Sequence, residues 1–165
     1  MEFSRITSGF TQARFHPILQ TWRAHRGVDY AAPIGTPIRA TADGVVAFAG
    51  VQGGYGNVVF LRHHGAYSTV YGHMSRFASQ LRTGTRVRQG ETIGYVGMTG
   101  WSTGPHLHYE FRIADEPRNP LDVAMPAAPP IAADRLVAFK GATRAAEDAL
   151  ALARSLPATA LAATE

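Results

Sequence analysis

The chain has 165 residues, of which 45% are hydrophobic and 17% are charged, and its net charge is +4. This length supports one domain with a proper core and is short for two, and the ordinary apolar fraction excludes a disordered chain. The sequence has no run of about 18 apolar residues, so it predicts no membrane span. The chain also has no cysteine, which excludes disulfides, thiolate metal sites and cysteine nucleophiles. Any metal must therefore be held by histidine or carboxylate side chains.

Residues 1–124 are predicted to form a β-rich domain. Short runs of β-branched and aromatic residues, such as residues 44–50 and 107–113, alternate with glycine-rich turns. This pattern predicts a mainly β fold of short strands joined by tight turns. An imperfect repeat relates residues 35–50 to residues 84–97, and we interpret each copy as a β-hairpin. Two such hairpins facing each other would form a sandwich or a flattened barrel.

The rest of the chain has a different composition. Residues 125–132 are rich in proline and alanine and are predicted to be a linker. Residues 133–156 are rich in alanine and predict a C-terminal helix with Asp134 as its N-cap. We expect this helix to pack against the β-rich domain or a neighbouring molecule, and residues 157–165 to form a flexible tail.

His25 and Asp29 form the first candidate site, with the spacing His-x-x-x-Asp. Gly27 between them and Pro33 after them argue against a helix, so we place the pair on extended chain, where positions i and i+4 share a face. A neutral imidazole nitrogen and a carboxylate oxygen are both good zinc donors. A buried histidine that is hydrogen-bonded to an aspartate would show the same spacing, so the pair alone leaves both interpretations open.

His106 and His108 form the second candidate site, at the start of a strongly predicted strand. Because they are two residues apart, both side chains lie on one face of the strand while Leu107 points into the core. Buried imidazoles must find polar partners, so metal ligation, or one ligand beside one proton-transfer group, competes evenly with a structural role. His73 follows a third strand-like run and is unremarkable by spacing alone.

Together these segments resemble the lysostaphin/LytM-type zinc metallopeptidases, in particular their Gram-negative-type members. The motifs that carry the resemblance are His25-x-x-x-Asp29, Tyr71-Gly72-His73 and residues 102–108, in this order along the chain. The similarity extends over roughly residues 8–121. It implies a β-rich fold in which an antiparallel sheet floors an open groove, with a zinc ion at its bottom.

The resemblance also implies a role for each histidine cluster. The zinc ligands would be His25, Asp29 and His108, holding one Zn²⁺ per chain, and His73 and His106 would be the catalytic pair beside the metal. Three protein ligands leave a fourth zinc position open for water, whose pKa the metal lowers to about 7. The chain has no His-Glu-x-x-His segment to supply a glutamate base, so proton transfer falls to the two histidines. The sequence does not divide these duties between them.

These implications predict a zinc-dependent endopeptidase that hydrolyses peptide cross-links of bacterial peptidoglycan. Peptidoglycan is the expected partner, with no nucleic acid involved, and the expected location is the periplasm or cell envelope. Residues 1–5 show no secretory signal. Either a D-alanine–diaminopimelate bond or a Gly–Gly bridge is a possible substrate, and the arginine-containing segment at residues 14–18, which resembles a groove-lining segment of the Gram-negative-type members, favours the former.

Three other functional classes share parts of this sequence pattern. A non-catalytic cell-wall-binding or amidase-activating module is the main alternative, because some relatives have lost ligands, but all five positions are filled here. A biotinyl or lipoyl carrier domain needs a lysine at a hairpin tip, whereas the sole lysine, Lys140, lies in the C-terminal segment. A histidine phosphotransfer domain is disfavoured because Asp29 beside His25 would repel a phosphoryl group.

Overall fold

The computed structural model describes residues 3–16, 18, 20–123 and 131–155, and the chain divides into two compact units, Met1–Ala124 and Met125–Glu165. The described part of the first unit is built from strands and the second holds a helix, which confirms the mainly β fold class with a C-terminal helix. In the described part of the chain, no helix combines the length and apolar character that a membrane crossing requires. The strands of the first unit are β1 (Arg5–Ser8), β2 (Thr11–His16), β3 (Thr21–His25), β4 (Val28–Ala31), β5 (Pro37–Arg39), β6 (Gly44–Gln52), β7 (Gly56–Arg62), β8 (Tyr67–Phe77), β9 (Arg86–Val87), β10 (Thr92–Val96), β11 (His106–Ile113) and β12 (Glu116–Arg118).

Most of these strands belong to one antiparallel sheet. Its main path runs β1-β4-β11-β8-β7-β6-β9, while β12 pairs with β11, and β10 pairs with both β8 and β5. Strands β2 and β3 form a separate two-stranded ribbon. Among the described strands, the path does not return to its first member, so the sheet is open rather than closed into a barrel.

The two faces of β11 have different surroundings, and one of them faces the hydrophobic core. Leu107, Tyr109 and Phe111 are buried and join the same apolar cluster as Ile38 of β5 and Ile93 of β10. The core therefore lies between the main sheet and the β5–β10 pair. Because side chains alternate along a strand, the residues between these three point to the opposite face of the sheet.

The sequence repeat folds differently from the two hairpins that we expected. Strand β5 pairs with β10 and β6 pairs with β9, so the strands of each copy pair with strands of the other copy. Backbone hydrogen bonds continue this exchange, from Ala40 N–H to the Glu91 carbonyl and from Gly84 N–H to the Val46 carbonyl. Each copy thereby buries its apolar side chains against the other, which a hairpin closed on itself would not achieve.

The helix α1 spans Ala133–Ser155. Amide N–H groups of its first turn bond to the Ala132 carbonyl, so Ala132 precedes the helix and Asp134 lies inside the first turn. The prediction of Asp134 as N-cap is therefore wrong, although its carboxylate still complements the positive end of the helix dipole, as Arg154 does at the other end. Residue 124, residues 125–130 of the predicted linker, residue 156 of the predicted helix and the predicted tail at residues 157–165 lie outside the described residues.

Candidate metal centre

Strand pairing brings the first two candidate clusters together. In the antiparallel pair β4–β11, Asp29 and His108 are directly opposite each other. His25 ends β3, and a two-residue break separates it from β4, so His25 and Asp29 flank a bend instead of sharing one extended segment as we expected. A Cβ on Gly27 in this break would lie 2.5 Å from the Tyr109 carbonyl oxygen and 2.7 Å from His108 Cε1. Glycine is therefore needed for the chain to pass this close to His108.

Three atoms that could act as metal ligands lie close together at this point. His25 Nε2 lies 3.0 Å from Asp29 Oδ1 and 3.1 Å from His108 Nδ1, and the latter two atoms are 2.9 Å apart. All three residues are buried, with 5–7% of their surface exposed. One atom from each residue thus forms a nearly equilateral triangle, which is the arrangement of three ligands around one ion.

In His25 and His108, the ring nitrogen that faces away from the triangle, here called the outer nitrogen, is hydrogen-bonded to another group. His25 Nδ1 lies 2.7 Å from the Gly9 carbonyl oxygen, and since a carbonyl only accepts, this nitrogen carries the proton. His108 Nε2 lies 3.0 Å from the Glu110 carboxylate and donates to it. In the neutral rings, the two nitrogens that face Asp29 therefore carry lone pairs. Three lone-pair atoms at this spacing repel one another unless a proton or a cation lies between them.

The pKa values show how the cluster behaves as a proton site. Burial alone would raise the pKa of Asp29, but its interactions with His108 and then with His25 hold it well below its usual range. Burial alone would lower the pKa of His108, but its hydrogen bonds to Asp29 and Glu110 raise it to about 9. Without a cation, a proton shared by His108 and Asp29 therefore relieves the repulsion at neutral pH. A metal ion and this proton compete for the same lone pairs.

The donor set and its spacing fit a small tetrahedral cation. Zinc–nitrogen and zinc–oxygen bonds of about 2.0–2.1 Å imply tetrahedral ligand separations of about 3.3–3.4 Å. The three observed separations are 2.9–3.1 Å, so only a few tenths of an ångström separate the site from that geometry. The outer N–H groups of both rings donate to a carbonyl and a carboxylate, as metal-ligating histidines do.

Glu110 is a residue of this site that the sequence analysis did not identify. Its side chain is 1% exposed, and its carboxylate accepts hydrogen bonds from His108 Nε2, from Tyr55 Oη at 2.7 Å and from Arg112 Nη2 at 2.6 Å. Burial opposes ionisation, but the hydrogen bond and charge of His108 lower the Glu110 pKa overall. The signal was present in the sequence, because the alternation that puts His106 and His108 on one face puts Glu110 there too.

The other two candidate histidines lie beside the triangle and are not part of it. His106 Nε2 is 3.7 Å from Asp29 Oδ1, and the His73 and His106 ring centroids are 4.6 Å apart. Each ring donates its Nδ1 proton to a backbone carbonyl, His73 to Thr99 at 2.7 Å and His106 to Gly104 at 2.8 Å. In both neutral rings, the lone pair is consequently on Nε2.

His73 occupies a strained position in β8. Up to Gly72 this strand pairs with β11, and from Met74 it pairs with β10, so His73 lies where the pairing changes. Its φ of 59° is in the left-handed region, which costs a non-glycine residue about 1–3 kcal/mol. Burial, together with the neighbouring imidazoles, lowers the pKa of His73 to about 4 despite the hydrogen bond to Thr99. The ring is therefore neutral at physiological pH.

These residues lie in an open cleft of about 570 Å³. The triangle, His73 and His106 all line it, and two glycine-containing loops contribute Gly54 and Trp101. Pro17 of the expected groove-lining segment at residues 14–18 lies outside the described residues, whereas Arg14 lines the cleft. The remaining lining residues are Thr7, Ser8, Arg23, Ala24, Arg26, Tyr55, Thr103 and Glu110.

Two curated bacterial proteins are closely similar to this chain. It is 51% identical over 157 residues to the DD-carboxypeptidase/endopeptidase Mpg of Neisseria meningitidis serogroup B, covering 95% of this chain and 35% of that protein. It is 47% identical over 128 residues to the peptidoglycan DD-endopeptidase ShyC of Vibrio cholerae, covering 78% of this chain and 29% of that protein. The chain thus spans about a third of the length of these curated relatives.

Solved structures show the same relationship. A zinc-containing peptidase from Vibrio cholerae superposes with a TM-score of 0.68 at 35% identity, covering 75% of this chain and 38% of the other. The catalytic domain of the antimicrobial peptidase lysostaphin from Staphylococcus simulans superposes with a TM-score of 0.63 at 28% identity, covering 73% of this chain and 96% of the other. The resemblance to lysostaphin-type enzymes is thereby confirmed. With the profile of peptidase family M23 matching residues 23–120, the chain belongs to this family of metallopeptidases.

Proposed function

We propose that this domain is a zinc-dependent endopeptidase that hydrolyses peptide cross-links of bacterial peptidoglycan, acting in the periplasm or cell envelope. The observation that carries the proposal is the triangle of buried lone-pair atoms 2.9–3.1 Å apart at the floor of an open cleft. The names of the similar proteins, a peptidoglycan DD-endopeptidase and a zinc-containing peptidase, support the substrate and the metal. The catalytic domain is residues 1–124, followed by a linker at residues 125–132, the helix and a tail at residues 157–165.

His25 Nε2, Asp29 Oδ1 and His108 Nδ1 are the atoms that would hold one zinc ion. A zinc ion at such a site supplies Lewis-acid polarisation of a carbonyl and acidifies water. The protein's own contribution is to keep these three atoms in place. Glu110 orients the His108 ring through its Nε2 proton, and the Gly9 carbonyl does the same for His25 through Nδ1.

His73 and His106 are the groups that would handle protons. Their Nδ1 protons are fixed on backbone carbonyls, so each ring offers one position, Nε2, at which a proton is taken up or released. Peptide hydrolysis needs one proton removed from the attacking water and one delivered to the leaving amine. The lowered pKa of His73, about 4, means that its imidazolium gives up a proton readily. The ring that takes the proton from the attacking water becomes an imidazolium at Nε2 and can deliver that same proton to the leaving amine, so no glutamate base is required.

Digestion of purified muropeptide dimers, combined with metal analysis, tests the proposal. We expect the zinc-loaded protein to release monomers, and the His108→Ala variant and the chelated protein to lose both this activity and bound zinc. The matched control is His64→Ala, because His64 is an exposed histidine in the turn between β7 and β8. Activity that survives both chelation and His108→Ala would reject a zinc mechanism.

A further inference from the structure

The ribbon β2–β3 presents two arginines to the cleft on the face that carries a metal ligand. Arg14 and Arg23 are directly opposite each other in this antiparallel pair, and both line the cleft. Arg23 precedes His25 by two residues on β3, so both side chains lie on the same face of the strand. Like charges directly opposite each other destabilise a strand pair. An anion bound between them would relieve this repulsion.

The carboxylates that line the cleft do not neutralise Arg23. Among the described residues, only Asp29 and Glu110 contribute carboxylates to this lining, and both are held by the metal-site histidines or by Arg112. Arg14 lies 3.6 Å from Asp29 Oδ2 and is thereby partly paired.

Unlike the guanidinium of Arg14, the guanidinium of Arg23 has no carboxylate within 4.0 Å among the residues that the structure describes. Its Cζ lies 5.6 Å from the centroid of the Trp101 ring, a position in which the ring attracts the cation without using its N–H donors. Arg23 is exposed, so these donors are available to a ligand in the cleft.

Peptidoglycan offers a matching anion next to one kind of scissile bond. In a D-alanine–diaminopimelate cross-link, the carbon that carries the scissile nitrogen also carries a free carboxylate. The carboxyl carbon is therefore only about 2.5 Å from that nitrogen, two bonds away. In a Gly–Gly bridge, the corresponding carboxyl group is already part of the next amide and has no charge.

We propose that Arg23 binds this free carboxylate and thereby makes the cleft selective for D-alanine–diaminopimelate cross-links over uncharged bridges. The inference rests on the proposed endopeptidase function and names the substrate feature that the same site recognises. Along a strand, Arg23 and His25 are separated by about 7 Å between Cα atoms. Arg23 and the metal ligands line the same cleft, so the guanidinium is placed to reach a group that flanks a scissile bond held at the metal site. A planar guanidinium also matches a carboxylate with two parallel hydrogen bonds.

Two cross-linked dimers that differ only in this carboxyl group, free acid in one and carboxamide in the other, test the inference. We expect the zinc-loaded wild type to favour the acid in kcat/KM by roughly 10- to 100-fold, the range for a hydrogen-bonded charged group. In Arg23→Gln, the acid/amide ratio should fall to near one, and Arg23→Lys should retain part of it, because lysine keeps the charge but not the two-pronged geometry. Arg86→Gln, which removes an exposed arginine of β9, should keep the wild-type ratio.

The possible failures are distinguishable. If the zinc-loaded wild type cleaves neither dimer, the proposed function itself is rejected. If it cleaves both at equal rates, or if Arg23→Gln binds zinc normally and keeps the wild-type preference, the function stands and the role of Arg23 is overturned. Zinc content and thermal unfolding of Arg23→Gln and Arg23→Lys show whether each variant is folded, so a loss of preference is assigned only to intact protein.

Discussion

The Glu110→Gln substitution examines how much the site depends on a residue that does not touch the metal. The Glu110 carboxylate accepts a hydrogen bond from His108 Nε2 at 3.0 Å, and two more hydrogen bonds come from Arg112, from Nε at 2.8 Å and from Nη2 at 2.6 Å. A glutamine amide has one acceptor oxygen and one donor group. It can therefore satisfy either His108 or Arg112, but not both.

Two losses are expected from this change. Outer-shell partners of metal-binding histidines typically contribute 10- to 100-fold to metal affinity, which corresponds to about 1.4–2.7 kcal/mol. Removing one member of a fully buried ion pair costs about 3–5 kcal/mol of unfolding free energy. Arg112 is 20% exposed at its side chain, so water offsets part of that cost and about 2–3 kcal/mol is the expected loss.

Zinc dissociation constants from competition with a chromophoric chelator, together with urea unfolding of the zinc-free proteins, measure both losses. Glu116→Gln is the matched control, since Glu116 of β12 is an exposed glutamate, and it should leave both quantities unchanged. A folded Glu110→Gln protein whose zinc dissociation constant stays within twofold of the wild type would refute the orienting role of Glu110.

Three further results are expected. Gly27→Ala should weaken zinc binding at least tenfold, since the added Cβ would lie 2.7 Å from His108 Cε1. Gly141→Ala is the control and should leave zinc affinity unchanged, because a Cβ there would have no atom within 4 Å. Equal zinc affinities of the two variants would contradict the need for glycine at position 27. Because the His108 pKa is raised to about 9, zinc should displace about one proton at pH 7, and its affinity should fall about tenfold for each pH unit below 9. Calorimetry in two buffers of different ionisation enthalpy measures the number of protons released, and no proton release would refute the prediction. The His73 pKa is lowered to about 4, so below about pH 6.5 the unfolded chain binds more protons at this residue than the folded protein does. As the pH falls from 7.5 to 5.5, His73 should therefore remove about 1.3 kcal/mol from the unfolding free energy. Over this range the zinc-loaded wild type should lose about that much more stability than zinc-loaded His73→Asn, whose asparagine tolerates the left-handed backbone, and parallel profiles would disprove the prediction.

The local pattern of the sequence was sufficient to predict the fold class and the residues on one face of the site. Alternation along residues 106–113 predicts a strand with His106 and His108 on one side, and the structure shows this arrangement. The chemistry of the donors was also readable, because a chain without cysteine can offer a metal only imidazoles and carboxylates. The same alternation also places Glu110 on this side of the strand.

Only the tertiary structure decided which distant residues meet and in what geometry. The register of β4 against β11 puts Asp29 opposite His108, and the change of partner in β8 holds His73 at a φ of 59°. The exchange of strands between the two repeat copies was likewise invisible in either copy. Side-chain alternation is a property of a few consecutive residues, whereas strand register and partner choice depend on burying apolar surface across the whole chain. The sequence by itself therefore determined the types of ligand and the face of β11 that carries them, and the packing of the sheet determined that their lone pairs converge within about 3 Å.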